Sequence, residues 1–252
     1  MSKDSKEVEI NEWCIETIER SASIIAVAPP GAGKTTLMEN IMYYNRNRYP
    51  VAKLFNGEED GYLHYCNIFP KLFVSNNWTE QAQEQFISRQ RKCKLENGDK
   101  FVGNNAIVVI DDAVDSGQLR KPLFAKLFKR FSRHGNNLIL LGMQEAMDFP
   151  PSIRSATSYV AIGRNVDVEQ RKKLYSNFGG ICGSYNKFCD LMDQLTGDHT
   201  FLIIKKRSES NVLSDCVFYY QTKKMPKKWT FGCKEYRKWS DDRYNTSFVE
   251  EV

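Results

Sequence analysis

Residues 28–36, APPGAGKTT, combine glycine, lysine and threonine at a spacing that suits phosphate binding. They match the pattern Gly/Ala-x-x-x-x-Gly-Lys-Ser/Thr and lie between an apolar run and a helical pattern. In such a loop the backbone N–H groups at the start of the helix bind phosphate oxygens, and the helix dipole favours their negative charge. The expected nucleotide-binding residues are Gly31, Ala32, Gly33, Lys34, Thr35 and Thr36.

Two prolines stand inside this loop, although proline has no backbone N–H to offer a phosphate. Pro29 and Pro30 precede the expected donors, so the loop loses no hydrogen bond that the phosphates need. We expect the side chain of Lys34 to neutralise the β- and γ-phosphates and the hydroxyl of Thr35 to ligate Mg²⁺. The loop therefore predicts a site for a nucleotide and Mg²⁺.

A second group of polar side chains follows two apolar runs further along the chain. Asp111 and Asp112 end the run NAIVVIDD, and Gln144 ends the run NNLILLGMQ. A metal–triphosphate site needs a carboxylate at the C-terminal end of a neighbouring strand, which makes Asp111 the expected metal ligand. Asp112 is the candidate base that polarises the attacking water, and Gln144 is the candidate sensor of the γ-phosphate. Each could instead be a polar residue where a strand ends or a helix begins.

Two arginines are candidates for neutralising the charge that develops during phosphate transfer. Arg133 lies in SRHGN, directly before the run that ends at Gln144, and Arg154 lies in PSIRS after that run. Most arginines are solvated surface residues, and the residues alone do not choose between these two.

The composition is that of a soluble globular protein. Among the 252 residues 41% are hydrophobic and 27% charged, and the net charge of +5 permits an anionic partner without requiring one. The longest apolar runs are too short for a bilayer, which needs about 20 apolar residues, and the N-terminus does not read as a signal peptide. We therefore expect a cytosolic protein without a membrane-spanning segment. The seven cysteines contain no C-x-x-C pair and favour reduced thiols over a zinc site or disulfides.

Apolar runs alternate with helical patterns along the chain, which predicts an α/β fold. We expect a RecA-like P-loop NTPase with a mostly parallel central sheet flanked by helices. The predicted strands are residues 23–28, 51–55, 105–112, 136–144, 158–163, 200–206 and 215–220. The predicted helices are residues 34–45, 79–95 and 119–134, with two further helices before the last two strands, whereas residues 57–78 are expected to be irregular.

From residue 223 onward the chain becomes basic, aromatic and irregular. We predict a P-loop ATPase domain over residues 1–222 and a basic aromatic tail or appendage over residues 223–252. Residues 223–243 hold eight basic and three acidic side chains, interleaved with aromatic ones. This composition suits binding to a DNA backbone or to single strands, and it suits equally an arm that packs on a neighbouring subunit.

Together these segments resemble the genome-packaging ATPases of poxviruses and other large double-stranded DNA viruses, in the FtsK–HerA superfamily of P-loop NTPases. The resemblance covers residues 23–165 and is carried by APPGAGKTT, AIVVIDDA, FSRHGNNLILLGMQ and PPSIRSATSYVAIGRN. In that family a strand ending in two acidic residues is followed by a helix, an Arg-His pair, a strand ending in glutamine and a proline-associated Ile-Arg. Ala28 stands where the family usually has glycine.

The resemblance implies an ATP-hydrolysing motor that moves double-stranded DNA into a viral capsid. It implies that Lys34 and Thr35 bind ATP and Mg²⁺, that Asp111 and Asp112 are the metal-site and water-activating pair, and that Gln144 is the sensor. These are the same roles that the residue types and their spacing predict.

The resemblance also implies an assembly. The family forms homo-oligomeric rings, here expected as a hexamer or pentamer, and Arg133 is the residue expected to act across the subunit boundary. Double-stranded DNA is the expected partner, with capsid vertex proteins as further ones. The expected location is the host-cell cytoplasm, where virions assemble, and the virion itself.

Other functions fit parts of the sequence. A nucleotide kinase shares the phosphate loop, but that class generally lacks a second acid after the strand-end aspartate and needs an arginine-rich lid. A helicase-like ATPase is a further alternative among P-loop enzymes. A non-hydrolysing, nucleotide-gated structural protein needs only the loop, and the presence of the full hydrolytic set disfavours it.

Overall fold

The apolar runs of the chain form the strands of one sheet. The computed structural model of the protein describes residues 9–245. The strands are β1 (Asn11–Glu12), β2 (Ser23–Val27), β3 (Val51–Asn56), β4 (Val74–Ser75), β5 (Ala106–Asp111), β6 (Leu138–Met143), β7 (Tyr159–Ile162), β8 (Thr200–Lys205) and β9 (Val217–Gln221). Their order across the sheet is β1-β9-β8-β7-β2-β6-β5-β3-β4. All strands are parallel to one another except β8, which runs antiparallel to both of its neighbours.

The central strands are buried on both faces because helices cover the sheet on both sides. Every residue of β2, β5, β6 and β7 is buried, which explains why these segments read as continuous apolar runs rather than alternating ones. Successive side chains still point to opposite faces. Ile25 belongs to one hydrophobic layer and Ile24 to the other. The expected α/β fold with a mostly parallel sheet flanked by helices is confirmed.

The helices connect the strands and cover both layers. They are α1 (Lys34–Asn45), α2 (Glu59–Cys66), α3 (Glu80–Asn97), α4 (Ser116–Arg120), α5 (Pro122–Lys126), a π-helical segment (Leu127–Phe131), α6 (Ser132–Gly135), α7 (Pro151–Arg154), α8 (Val168–Phe178), α9 (Tyr185–Leu195), α10 (Leu213–Cys216) and α11 (Lys234–Asp241). Over residues 9–245 no helix combines the length and the apolar character that a bilayer crossing needs.

The helix predicted over residues 119–134 is wrong in one respect, because it is not continuous. Lys121 has extended backbone angles (φ −64°, ψ 133°) and separates α4 from α5. Pro122 causes the break, since a proline disfavours the helical conformation of the residue before it and begins a new helix well. After Lys126 the helix widens into the π-helical segment, where the N–H of Ser132 donates to the carbonyl of Leu127, five residues earlier.

Other predicted boundaries shift at the ends of elements. Strand β5 ends at Asp111 because Asp112 has a left-handed backbone (φ +49°) that a strand cannot continue. Residues 57–78, expected to be irregular, contain α2 and the short edge strand β4. Residues 215–216, expected to begin a strand, belong to α10 instead.

The chain after β9 passes along α1 and packs against both hydrophobic layers of the sheet. The side chain of Asn40 in α1 binds both the N–H (2.7 Å) and the carbonyl (2.8 Å) of Lys223. Phe231 and Tyr236 are buried, in opposite hydrophobic layers. Residues 223–245 therefore pack on the strands and helices before them, and residues 246–252 of the predicted tail lie outside the described residues. The domain boundary at residue 222 stays a prediction.

Candidate nucleotide-binding site

The two prolines build the turn that leads from β2 into the phosphate loop. The N–H of Ala32 donates to the carbonyl of Pro29 (3.2 Å), which closes a four-residue turn. Pro30 takes its second position and Gly31, with φ +78°, its third. This is the residue pattern of a type II β-turn, which favours proline and then a residue with positive φ. The prolines therefore shape the loop and leave the amides that follow for phosphate.

The loop passes into α1 through a second left-handed residue. Gly33 has φ +92° and is the N-cap of α1, and its carbonyl accepts the first helical hydrogen bond from Leu37 (2.9 Å). The N–H groups of the first helical turn, from Lys34 to Thr36, have no partner within the helix and point toward its N-terminal end. Thr35 is half-buried there. This arrangement suits the binding of a phosphate.

The alanine at the first position of the loop has a structural explanation. A Cβ atom added to Gly163, which follows β7, would lie 2.6 Å from the Cβ of Ala28. The absence of a side chain at residue 163 therefore makes room for the methyl group of Ala28, which is fully buried.

Lys34 is held by both aspartates of the Asp-Asp pair. Its Nζ lies 2.6 Å from Oδ1 of Asp111 and also donates to Oδ2 of Asp112. The Oη of Tyr65 in α2 donates to the other oxygen of Asp111 (3.0 Å). The topology explains this convergence. Strands β2, β6 and β5 are adjacent and parallel, so their carboxyl ends meet at one edge of the sheet (the carboxyl edge). The structure thus brings together the lysine and the two acids that the sequence predicts.

Close packing fixes the carboxylate of Asp111 and the backbone of Asp112. A Cβ at Gly142 in β6 would lie 2.6 Å from Oδ1 of Asp111, and a Cβ at Gly57 would lie 2.1 Å from the carbonyl oxygen of Asp112. The N–H of Asp112 donates to the carbonyl of Gly142 (3.1 Å). The left-handed backbone of Asp112 turns its side chain back toward the loop, where it meets Lys34. Both glycines are therefore required by the pair.

The environment shifts the pKa values of these groups in a consistent direction. Burial lowers the pKa of Lys34, but the charges and hydrogen bonds of Asp111 and Asp112 outweigh this effect and raise it above its usual value. Burial raises the pKa of Asp112, against the opposing effect of Lys34 and with a further contribution from Asp111. Burial and the charge of Asp111 raise the pKa of Tyr65 well above its usual value. The cluster thus favours the charged form of Lys34, and it makes Asp112 a more basic carboxylate than an exposed one.

Gln144 completes the cluster. It follows β6 directly, and its Nε2 donates to Oε1 of Glu58 (2.6 Å) and lies 3.3 Å from Oδ2 of Asp112. The amide therefore stands beside the candidate base, at the edge where the sequence predicts a γ-phosphate sensor. Its role in sensing stays a prediction.

Sequence reasoning missed two residues of this cluster, Glu58 and Tyr65. Glu58 follows β3, and because β3 pairs with β5 in parallel, the residues after it reach the same edge as Asp111. The segment NGEEDG after that strand was a usable signal for Glu58. Tyr65 offered no such signal, since only the packing of α2 against the sheet carries it to Asp111.

The two candidate arginines lie at the opposite edge of the sheet, which is formed by the amino ends of the parallel strands (the amino edge). Arg133 in α6 precedes β6, Arg154 in α7 precedes β7, and both strands begin beside the first residues of β2. The phosphate loop begins at Ala28, five residues after Ser23, the first residue of β2. At about 3.3 Å per residue this separation is about 16 Å. Neither arginine therefore belongs to the phosphate site of its own chain.

Positive charge accumulates around these arginines. Burial and the charge of Arg133 lower the pKa of Arg207, whose guanidinium donates to the carbonyl of Ala156. Burial and the charge of Arg154 lower the pKa of Lys206, whose Nζ donates to the carbonyl of Arg154 (2.9 Å). Within the described ranges the Nε of Arg207 is buried without a hydrogen-bond partner. This crowding of cations favours the approach of an anion.

The residues present fit a magnesium ion that is shared with a triphosphate. Mg²⁺ takes oxygen ligands and usually keeps waters and substrate phosphates alongside one or two carboxylates. Asp111 and Thr35 offer such oxygens beside the loop. Between residues 9 and 245 no group of three or more His, Cys, Asp or Glu side chains could hold a metal ion unaided. Asp111 and Thr35 would hold Mg²⁺ together with phosphate oxygens of the nucleotide.

Comparison with known proteins shows viral relatives that match most of the chain. The chain is 33% identical over 221 residues to the uncharacterized protein 088R of invertebrate iridescent virus 3, covering 86% of this chain and 82% of the relative. No family model matches the chain. The relationship extends over residues well outside the phosphate loop, so it concerns the whole fold.

Solved structures share the fold at low identity. The genome-packaging NTPase B204 of Sulfolobus turreted icosahedral virus 2, solved with AMP, superposes with a TM-score of 0.58 at 12% identity, covering 83% of this chain and 100% of that one. The conjugation coupling protein TcpA of pCW3, solved with ATPγS, has a TM-score of 0.54 at 18% identity, covering 88% and 71%. At these identities the likeness concerns the fold, and both neighbours share the fold that the resemblance implies.

Proposed function

From the premise that this chain belongs to the family of large-DNA-virus proteins that includes protein 088R of invertebrate iridescent virus 3, we propose that it is an ATPase that drives viral double-stranded DNA into a capsid. The fold it shares with a viral genome-packaging NTPase supports a packaging ATPase. Coupling of ATP hydrolysis to DNA movement is the further step of the proposal.

One observation carries the ATPase part of this proposal: side chains from three separate elements converge on one point beside the phosphate loop. Lys34 begins α1, Asp111 and Asp112 end β5, and Gln144 follows β6, yet all four are linked by hydrogen bonds. Loop, acids and amide together form the set that in-line attack of water on a γ-phosphate requires. A protein that only binds a nucleotide has no need of the second acid.

The ion pairs of Lys34 suggest how the site is activated. Lys34 holds both carboxylates in this structure. Phosphate oxygens at the loop would compete for Lys34 and release Asp112, whose raised pKa suits a group that accepts a proton from water. Gln144, 3.3 Å from Asp112, would orient that water. Mg²⁺, when bound at Asp111 and Thr35, would neutralise charge on the triphosphate.

Assembly into a ring is part of the proposal because neither candidate arginine lies beside the phosphate loop of its own chain. Arg133 or Arg154, at the opposite edge of the sheet, would act on the phosphate loop of a neighbouring subunit. A head-to-tail ring of five or six subunits would bring these two unlike edges together. The positive charge around Arg207 supports an anion arriving at that edge.

The location and the further partners rest on the same premise. We propose that the protein acts in the host-cell cytoplasm, where virions assemble, and at a capsid vertex. Exposed lysines on the loop that carries Lys224, Lys227 and Lys228 are available for phosphates of a DNA duplex. The basic face of the helix that carries Lys126 and Lys129 is a second such surface.

A steady-state ATPase assay with and without double-stranded DNA tests the proposal. We expect Mg²⁺-dependent turnover that DNA increases, with Lys34→Ala as the inactive control. Turnover without any response to DNA would refute the motor, and phosphate transfer to a nucleotide acceptor would identify a kinase instead. Nucleotide binding without turnover would indicate a nucleotide-gated structural protein.

A further inference from the structure

A histidine from a distant part of the chain lies against the phosphate loop. A Cβ atom built on Gly33 would lie 3.0 Å from Nδ1 of His199 and 3.2 Å from its Cβ. His199 precedes β8, and because β8 runs antiparallel to β7, its first residue lies at the carboxyl ends of the parallel strands. Strand β8 thus places the imidazole of His199 at the carboxyl edge, beside the phosphate loop.

The backbone that presents this imidazole is strained. Asp198 (φ +44°) and His199 (φ +58°) are consecutive non-glycine residues with left-handed backbones. Such conformations are costly for residues with a side chain and concentrate at binding sites. A hydrogen bond from the N–H of Thr222 to the carbonyl of His199 (3.2 Å) and one from Thr200 to Gly197 (2.8 Å) hold the turn. The side chain of His199 is exposed, so burial does not explain the strain.

The position of His199 relative to the acids indicates which part of a nucleotide it would meet. The side chains expected at the γ-phosphate lie at the ends of β5 and β6, on one side of β2. They are Asp111, Asp112 and Gln144. The strands on the other side of β2 are β7 and then β8, where His199 lies. A triphosphate that lies along the loop with its γ-phosphate near Asp112 has its nucleoside on the opposite side, toward His199.

We infer that His199 contacts the nucleoside of the bound nucleotide and contributes to the choice of a nucleoside triphosphate over a bare polyphosphate. The imidazole would pack against the ribose and base, an interaction that an exposed ring held by a strained turn is well placed to make. This inference rests on the proposed function, since it assumes that the loop binds a nucleotide.

Binding of two ligands to the full chain tests the inference. Titration calorimetry would compare a non-hydrolysable ATP analogue with inorganic tripolyphosphate, which has the phosphates but no nucleoside. For His199→Ala we expect affinity for the ATP analogue to fall about tenfold, equivalent to roughly 1.4 kcal/mol, while affinity for tripolyphosphate stays unchanged. His199→Phe, which keeps a flat ring, should retain most of the affinity.

Matched controls separate this contact from a general disturbance. His134→Ala removes an exposed histidine in α6, at the other edge of the sheet, and should change neither affinity. Equal losses for both ligands in His199→Ala, or no loss for either, would overturn the inference while leaving the phosphate loop intact. If the unmodified chain binds neither ligand, the proposed function itself fails and this inference fails with it.

Discussion

The two edges of the central sheet carry opposite chemistry. At the carboxyl ends of the strands, Lys34 is enclosed by Asp111 and Asp112, and further acids such as Glu58 stand nearby. At the amino ends four cations lie close together, with Glu19 as a nearby counter-charge: Arg133, Arg154, Lys206 and Arg207. The first edge is organised to bind a phosphate group, and its buried cation Lys34 is already paired with both carboxylates. The difference teaches that ion pairs balance the charge at the carboxyl edge, whereas cations gather at the amino edge about 16 Å away.

Removing the lysine at the carboxyl edge should have the largest effect. Lys34→Ala deletes the cation that both carboxylates and the phosphates share, and it leaves Asp111 and Asp112 facing each other without compensation. We expect nucleotide binding and turnover to fall below detection, measured by calorimetry and phosphate release. An active Lys34→Ala variant would show that the loop is not the nucleotide site. It would also refute the assignment of phosphate binding to the carboxyl edge.

Removing an arginine at the amino edge should affect turnover and leave nucleotide binding to the isolated chain intact. An arginine that acts in trans is worth about 10³- to 10⁵-fold in rate. We expect a loss in that range for Arg133→Ala and a smaller one for Arg154→Ala, measured as ATP turnover in the assembled state.

Mixing variants tests whether the arginine acts between chains. An assembly made only of the Arg133→Ala variant, or only of the Lys34→Ala variant, contains no complete site. In a mixed assembly, an intact loop from the first variant can meet an intact arginine from the second, so turnover should partly return. If mixing restores nothing, the two edges do not cooperate across a subunit boundary, and restoration with Arg154→Ala instead would select the other arginine.

The candidate base separates binding from hydrolysis at the carboxyl edge. Asp112→Asn keeps the shape of the side chain and its hydrogen bonds but cannot take a proton from water. We expect ATP binding to persist and turnover to fall about 10²- to 10⁴-fold, the usual contribution of a general base. Loss of binding together with turnover would make Asp112 a structural or metal-binding residue instead.

A lysine between the two edges should influence stability and leave catalysis unchanged. Lys53 in β3 is buried, donates to Ser75 (2.6 Å), and has a pKa that burial lowers to about 8. The unfolded chain, with a lysine pKa near its usual value, binds more protons between pH 8 and about 10.4, so stability should rise with pH across that window. Replacement by methionine removes the cost of burying this charge.

The expected gain can be measured directly. Lys53→Met should raise the free energy of unfolding at pH 7 by about 1 to 3 kcal/mol and flatten its rise above pH 8. Urea unfolding at pH 7 and pH 10 checks both statements, and the ATPase rate should match that of the unmodified chain. A destabilised Lys53→Met variant would mean that the bond to Ser75 outweighs the cost of burial.

Much of the fold could be predicted because the central strands are long apolar runs buried on both faces. The segments around Ile25, Val109 and Leu140 needed no tertiary information to be recognised as strands. The loop residues and the Asp-Asp pair could be predicted because the chemistry demands particular residue types at strand ends. Elements whose sequences mix polar and apolar residues, such as α2, gave no clear period and were missed.

The rest of the site could not be predicted because it depends on the order of strands. Tyr65 reaches Asp111, and His199 reaches Gly33, only after the sheet has brought distant segments together. The choice between Arg133 and Arg154 stays open for the same reason, because both precede strands that begin at one edge. Pro122, by contrast, was a visible signal for the break in the predicted helix.

The π-helical segment Leu127–Phe131 lengthens the chain by one residue while it preserves the direction of Arg133. A π-helical turn is in effect one extra residue accommodated within an α-helix, here closed by the bond from Ser132 to Leu127. Because the wider turn absorbs this residue, deleting it would restore a regular α-helix and leave Arg133 on the same side of the helix. A second deletion would find no wider turn to close, and it would rotate Arg133 by about 100° around the helix axis. The segment should therefore tolerate the loss of one residue far better than the loss of two.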